Sequence, residues 1–112
     1  MEIVYGSRML EKAFLKKAQA VREWGPENAK KLLLRHEQLV AADNLEIFKA
    51  LPGTGFHPLA GDRENQFACY GKHPYRLVFE PYPNPASRNA DGVIDLRSVT
   101  KIQIIEVVDY HG

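Results

Sequence analysis

Apolar residues recur at helical spacing through most of the first forty residues. A short β-prone run, residues 2–5, precedes Gly6-Ser7, which supplies a break and a good helix N-cap. Residues 8–24 and 26–42 each carry apolar side chains three and four positions apart, and Gly25-Pro26 separates the two segments. The pattern predicts a strand followed by a helical hairpin.

The second half of the chain changes to short β-prone runs. Residues 44–48 are expected to add one further helical turn before Pro and Gly residues end the helical part. Residues 66–70 and 75–80 flank a Lys-His-Pro turn and predict an antiparallel hairpin. Residues 81–92 are rich in Pro, Asn and Gly and predict an exposed loop before a last strand at residues 101–108.

Alternation along the predicted strand 75–80 sorts its side chains onto two faces. Tyr75, Leu77 and Phe79 share one face, so Arg76 points the other way and need not enter a helix-packed core. The fold class expected is α+β, with the N-terminal short strand and two-helix hairpin packed on one face of a mainly antiparallel sheet. The length of 112 residues fits one domain, residues 1–112.

Composition and charge narrow the function classes only slightly. The formal net charge is +1, so any basic surface for a nucleic acid has to be local. The cationic residues cluster in the two predicted helices, where their simplest interpretation is two solvated helix faces. They are Arg8, Lys12, Lys16, Lys17 and Arg22 in the first, and Lys30, Lys31 and Arg35 in the second.

Neither a membrane nor an oxidising compartment is indicated. The apolar stretches are too short to span a bilayer, and the first residues lack the pattern of an export signal. Cys69 is the only cysteine, so it forms no internal disulfide, and its alternation with Phe67 favours a small core residue over a nucleophile. We expect a cytoplasmic protein.

Two places carry residues suited to moving protons. The last apolar strand runs directly into Asp109, Tyr110 and His111, and a strand end is held rigidly while its last residues can face a substrate. His57 lies where the Gly-rich loop meets the first strand of the sheet, and histidine titrates near neutrality. The bland alternatives are a frayed polar tail and a surface histidine.

Three further residues have simpler interpretations. His36 lies in the second predicted helix, and His73 lies in the tight turn of the predicted hairpin. Trp24, which stands next to the glycine that ends the first helix, is expected to be a packing anchor. We expect none of the three to carry the chemistry.

The order of these features resembles the RelE/ParE toxin superfamily, and within it the HigB-like host-inhibition toxins. The similarity extends over nearly the whole chain. It includes the start of the second helix around Ala29-Lys30-Lys31-Leu32, the segment His57-Pro58-Leu59-Ala60-Gly61-Asp62, the hairpin with Tyr75-Arg76-Leu77-Val78-Phe79, and the ending Glu106-Val107-Val108-Asp109-Tyr110-His111. The Asp-Tyr-His terminus is the most specific of these signatures.

The resemblance implies a RelE-like fold and an endoribonuclease that cleaves messenger RNA in the ribosomal decoding site. Its partners would be the ribosome, messenger RNA and a neutralising HigA-like helix-turn-helix antitoxin, and no metal or other cofactor is implied. The residues that match active-site positions of the family are His57, Arg76, Asp109, Tyr110 and His111.

The implied mechanism uses the 2′-hydroxyl of the RNA as nucleophile. Arg76 would clamp the phosphate, and His57 and His111 would serve as base and acid in either order. Tyr110 would share one of these roles or stack on a base, and Asp109 would orient Tyr110 or His111.

One position departs from the family pattern. Many relatives carry a basic residue where this chain has Ala60, which removes one expected phosphate contact. Arg63 or Lys72 would then supply that contact to the RNA.

Two other interpretations compete with the nuclease. A gyrase-inhibiting toxin of the ParE type shares the fold, but such toxins lack the histidine and the Asp-Tyr-His ending. A catalytically weakened module that only binds an antitoxin is the other alternative, favoured by Ala60 and the near-neutral charge.

Overall fold

The computed structural model describes residues 1–83 and 86–109 and confirms the α+β class. The strands are β1 (Glu2–Tyr5), β2 (His57–Pro58), β3 (Phe67–Tyr70), β4 (Tyr75–Pro81) and β5 (Lys101–Asp109). The helices are α1 (Arg8–Leu15), α2 (Lys17–Trp24), α3 (Pro26–Ala41) and α4 (Leu45–Ala50), with short 3₁₀ turns at Gly61–Arg63 and Leu96–Ser98. The predicted hairpin, the last strand and the extra helical turn are all confirmed.

The prediction of one continuous helix over residues 8–24 is wrong. The chain breaks at Lys16, whose backbone is extended (φ −131°, ψ 111°), and two helices of eight residues result. The apolar pattern does not cause the break, because the buried residues Leu10, Phe14 and Ala20 would share one face of a straight helix. The two helices differ in tertiary packing: α2 packs along α3 much more extensively than α1 does.

Local capping explains where the helices begin. The Ser7 hydroxyl accepts a hydrogen bond from the Leu10 amide, and the Asn44 side chain accepts one from Ile47. These bonds satisfy amide groups that a helix leaves unpaired in its first turn. Pro26 occupies the first turn of α3, after Gly25 at a φ of +79° that glycine adopts without strain.

The sheet has the order β1-β5-β4-β3-β2. The strands β2 to β5 pair antiparallel, and β1 pairs parallel to β5, with Ile3 opposite Ile102. The sheet is therefore mainly antiparallel, as predicted. His57 and Pro58 form an edge strand of their own beside β3, which the sequence interpretation placed only at a loop boundary.

A β-bulge on β5 switches the faces of that strand. Val78 lies opposite Glu106, whereas the next residue, Phe79, lies opposite Ile104. Because β5 contains one extra residue, Ile105, its later side chains fall on the opposite faces from those that strict alternation would give. The bulge therefore keeps Ile104 and Val107 on the apolar side and turns Glu106 away from it.

The core lies between the helices and one face of the sheet. Its largest fully buried members come from α3, α4, β4 and β5, and they include Leu32, Leu39, Leu45, Phe48, Leu77, Phe79, Ile102 and Ile104. Pro81, expected in the loop, belongs to β4 and is buried. No helix within the described residues is both long and apolar enough to cross a membrane.

A smaller aromatic group joins β1 to α1, α2 and α3. The Phe14 ring lies 4.9 Å from Trp24 and 5.1 Å from His36, centroid to centroid, so the expected packing role of Trp24 is confirmed. The Tyr5 hydroxyl hydrogen-bonds His36 Nε2 at 2.7 Å. His36 is thus part of this packing.

Candidate functional site

The sheet face turned away from the helices carries the candidate site, and we call it the open face. Register places two rows of side chains on it. The first row runs His57, Ala68, Val78 and Glu106, and the second runs Tyr70, Arg76 and Val108. Successive residues of a strand alternate between faces, so both rows are separate from Leu77 and Phe79 of the core.

His57 stands on the edge strand β2 at one side of the open face. Its Nδ1 lies 2.8 Å from the carbonyl oxygen of Gly55. A carbonyl oxygen only accepts, so Nδ1 must carry the proton in this bond. In the neutral ring Nε2 is then an unprotonated acceptor, the form that a general base requires.

Arg76 stands on β4 in the second row of the open face. The central carbon of its guanidinium lies 4.4 Å from the centre of the Tyr70 ring, in cation–π geometry. Nη1 donates to the carbonyl oxygen of Tyr75 at 3.0 Å. No ion pair of the described residues involves Arg76, so its positive charge stays available to an anion.

The two residues share one side of the sheet. His57 and Arg76 are two strands apart and offset by two positions along them. Standard strand spacing puts their Cα atoms about 12 Å apart. This separation allows both side chains to reach one nucleotide that lies on the open face.

Small apolar residues form the floor between them. Ala68 and Val78 are fully buried although they face away from the helices. Arg63 reaches from its 3₁₀ turn to Glu106 on β5, with 2.6 Å between Nη2 and the carboxylate, and Nε donates to Gln66. Since β3 and β4 lie between these partners, the bridge passes over the floor.

Arg63 and Lys72, the two residues predicted to supply a further phosphate contact, lie in different parts of the structure. Arg63 lies over the open face, but its guanidinium is already paired with Glu106. Lys72 lies in the β3–β4 turn and pairs with Glu27 of α3, where its hydrogen bond and charge lower the pKa of that carboxyl. Lys72 therefore points to the helix layer and not to His57.

The C-terminal candidates are only partly described. Asp109 is the last residue of β5, exposed and opposite Tyr75, so register puts it on the other face from Arg76 although at the same end of the sheet. Tyr110 and His111 lie outside the described residues.

Cys69 is confirmed as a core residue. It is fully buried on β3, and burial raises the pKa of its thiol to about 12. A thiol with so high a pKa stays protonated near neutral pH, whereas the thiolate is the nucleophilic form.

Sequence reasoning missed a cationic pocket at the end of the β3–β4 hairpin. It has a volume of about 320 Å³ and is lined by Lys31, Arg35, Tyr70, His73 and Arg76, together with two glycines. Lys31 and Arg35 were expected on a solvated helix face, but Arg35 is buried. The helical spacing of four between them was the available signal, and His73 gave none because it comes from a distant turn.

No three His, Cys, Asp or Glu side chains among residues 1–83 and 86–109 come together as a potential metal site. The comparisons with known proteins add no relative: no protein-family model matches the sequence, and no curated protein matches it.

Proposed function

We propose that this chain is the toxin of a type II toxin–antitoxin pair, an endoribonuclease that cleaves messenger RNA in the ribosomal decoding site. One observation carries the proposal. The open face carries a histidine whose Nε2 can accept a proton and an arginine that forms no ion pair with residues 1–83 and 86–109, and cleavage by the 2′-hydroxyl requires both a base and a phosphate clamp.

His57 is the proposed general base. Its Nε2 takes the proton of the 2′-hydroxyl while the 2′-oxygen attacks the adjacent phosphorus. The bond to Gly55 O holds the ring in the required tautomer before substrate arrives, so no proton has to move between the ring nitrogens first. The open-face position of His57 on a paired strand keeps its orientation fixed.

Arg76 is the proposed phosphate clamp. As the 2′-oxygen adds, negative charge builds on the non-bridging oxygens, and a guanidinium can hold two of them at once. The Tyr70 ring supports this guanidinium from β3. Loss of the 5′-oxygen then leaves a 2′,3′-cyclic phosphate.

The leaving 5′-oxygen needs a proton. We assign this role to Tyr110 or His111, which follow directly after β5 in the sequence, with Asp109 orienting whichever donates. The nucleophile and the leaving group both belong to the RNA, so the step balances without a further reactant.

The proposal includes the partners that the resemblance implies. These are the ribosome with its messenger RNA in the cytoplasm, and a HigA-like helix-turn-helix antitoxin that neutralises the toxin. Support from this chain is local: Arg76, which forms no ion pair with the described residues, places a positive charge on the open face of a protein whose formal net charge is only +1.

The direct test is single-turnover cleavage of messenger RNA on programmed ribosomes. His57→Ala and Arg76→Ala should each slow cleavage by about a hundredfold to ten-thousandfold. Deletion of residues 110–112 should act similarly by removing the acid. Arg97→Ala is the matched control, since it removes an exposed arginine outside both rows and should cleave like the parent.

Thermal melts of each variant separate lost chemistry from lost folding. If the parent arrests growth while messenger RNA stays intact, the nuclease proposal fails. Broken DNA in arrested cells would then indicate gyrase inhibition. Antitoxin binding without any arrest would indicate the binding module instead.

A further inference from the structure

The cationic pocket at the hairpin end continues from the open face to α3. Arg76 and Tyr70 contribute to it from the sheet, His73 from the β3–β4 turn, and Lys31 and Arg35 from the helix. Among the residues that the structure describes, no carboxylate side chain lines it. Four of its side chains are cationic or can become so, which is a strong local excess for a protein with a formal net charge of +1.

Arg35 gives the pocket its chemical bias. Only 8% of its surface is exposed, and its partners are the carbonyl oxygens of Tyr70 and Gly53, both at 2.9 Å, and the Gln38 side chain at 3.0 Å. These partners are neutral, and no ion pair of the described residues involves Arg35. A buried charge without a counter-charge is costly, and an arriving anion would relieve that cost.

The same bonds make the pocket rigid. Arg35 ties the end of β3 to the loop at Gly53 and to its own helix, so the wall beneath Tyr70 is fixed before any ligand binds. The flexible cations, Lys31 and His73, are exposed at the rim. A fixed positive charge at the base of the pocket, with mobile hydrogen-bond donors at its rim, suits an anion whose exact position varies.

We propose that this pocket binds a backbone phosphate of RNA, next to the scissile phosphate held by Arg76. The inference rests on the proposed function, because Arg76 belongs to both places and a strand clamped there has its neighbouring phosphate close by. Tyr70 offers a ring for stacking at the same border. An RNA strand would thus pass from the open face over the hairpin end toward α3.

Binding of RNA to the free protein tests this without cleavage. The probe is a fully 2′-O-methylated RNA hexanucleotide, which lacks the nucleophile, titrated by fluorescence anisotropy at several low salt concentrations. Lys31→Gln should weaken binding by about fivefold, which corresponds to one charge contact near 4 Å in water. It should also reduce the slope of log affinity against log salt by about 0.7. His73→Asn should also weaken binding of the hexanucleotide.

The matched control is Lys30→Gln, which removes an exposed lysine of the same helix outside the pocket and should bind like the parent. Equal binding and equal salt slopes for Lys31→Gln and Lys30→Gln would overturn the pocket while leaving the cleavage results intact. Titration with inorganic phosphate forms the second arm. If phosphate binds in the pocket and the hexanucleotide does not, the ligand is free phosphate and the RNA assignment is wrong.

Discussion

The Tyr70 ring can lie in its position on the open face because the residue that it covers is a glycine. Its ring lies against Gly55, where an added Cβ would come within 2.4 Å of the ring atoms. Gly55 also has a φ of +69°, a conformation that other residues adopt only with strain. One residue thus permits two things: the turn that presents His57, and the close approach of the ring that supports Arg76.

This dual role predicts unequal effects at two similar glycines. Gly53 also has a positive φ, but nothing lies within 4 Å of where its Cβ would be. Gly53→Ala should therefore cost about 1–2 kcal/mol of unfolding free energy from backbone strain alone. Gly55→Ala should cost more and should displace the Tyr70 ring.

Urea unfolding and cleavage assays of both variants measure these effects. We expect Gly55→Ala to slow cleavage per folded molecule more than Gly53→Ala does, because only Gly55→Ala removes the ring support of Arg76. Equal losses of stability and activity in the two variants would show that the ring contact has no role.

At the scale of the elements, β1 and α3 are joined by a buried polar contact. The Tyr5 hydroxyl hydrogen-bonds His36 Nε2, and the two rings pack with Phe14. Burial lowers the pKa of His36, an effect that the nearby charge of Glu37 partly opposes, and burial raises the pKa of Tyr5. The folded contact therefore favours the neutral imidazole.

The lowered pKa of His36 makes stability depend on pH. As the pH falls below about 6.5, the ordinary histidine value, the unfolded chain takes up a proton that folded His36 resists. Unfolding free energy should therefore fall with pH from that point, by at most about 1.4 kcal/mol per pH unit from this group.

His36→Gln is the comparison, because it keeps a polar side chain of similar size that does not titrate. Unfolding free energies of both proteins between pH 7.5 and 5 should show the steeper fall in the parent. Since the other histidines are common to both, parallel curves would exclude His36 as the source.

At the scale of the whole molecule, the net charge determines how strongly the protein attracts RNA from a distance. A formal net charge of +1 gives little long-range attraction for RNA, and the positive groups of the open face and the pocket act only at short range. The ribosome would supply what the protein lacks by presenting messenger RNA at high local concentration. Cleavage should therefore depend on the ribosome.

The prediction is that purified protein cleaves naked RNA far more slowly than the same RNA in a programmed ribosome. Single-turnover rates at equal RNA concentration measure this. Rapid cleavage of naked RNA at physiological salt would contradict it, because the protein would then recruit RNA by itself.

Much of the fold could be predicted because local periodicity and turn residues determine it. The two faces of β4 followed from alternation, and Arg76 does lie on the open face. The break at Lys16 could not be predicted, because residues 8–24 fit one helix locally, whereas in the fold α2 packs along α3 much more extensively than α1 does. The edge strand at His57 is likewise too short for a periodic signal.

The residues of the candidate site were predictable only where a single stretch of sequence identifies them. His57 stood out because of its local context, whereas Arg76 was assigned to the site only through the family resemblance. The pocket combines residues from α3, the strand end and the β3–β4 turn, which are distant in sequence. In the sequence, Lys31 and Arg35 look like any exposed pair on a helix, and only the fold brings Arg35 to the backbone of Tyr70. The pairing of Arg63 with Glu106 could not be predicted for the same reason.

The position of β5 determines when the open face can exist at all. This strand follows the other four in the chain but lies between β1 and β4 in the sheet. Its pairing with β1 closes a loop of about a hundred residues, and the chain loses this conformational entropy before the strand contacts can compensate for it. Its pairing with β4 closes a much shorter loop, so we expect β5 to dock on β4 first, and until it docks the chain presents neither Glu106 nor Val108 beside Arg76. Activity should appear in one step with that docking.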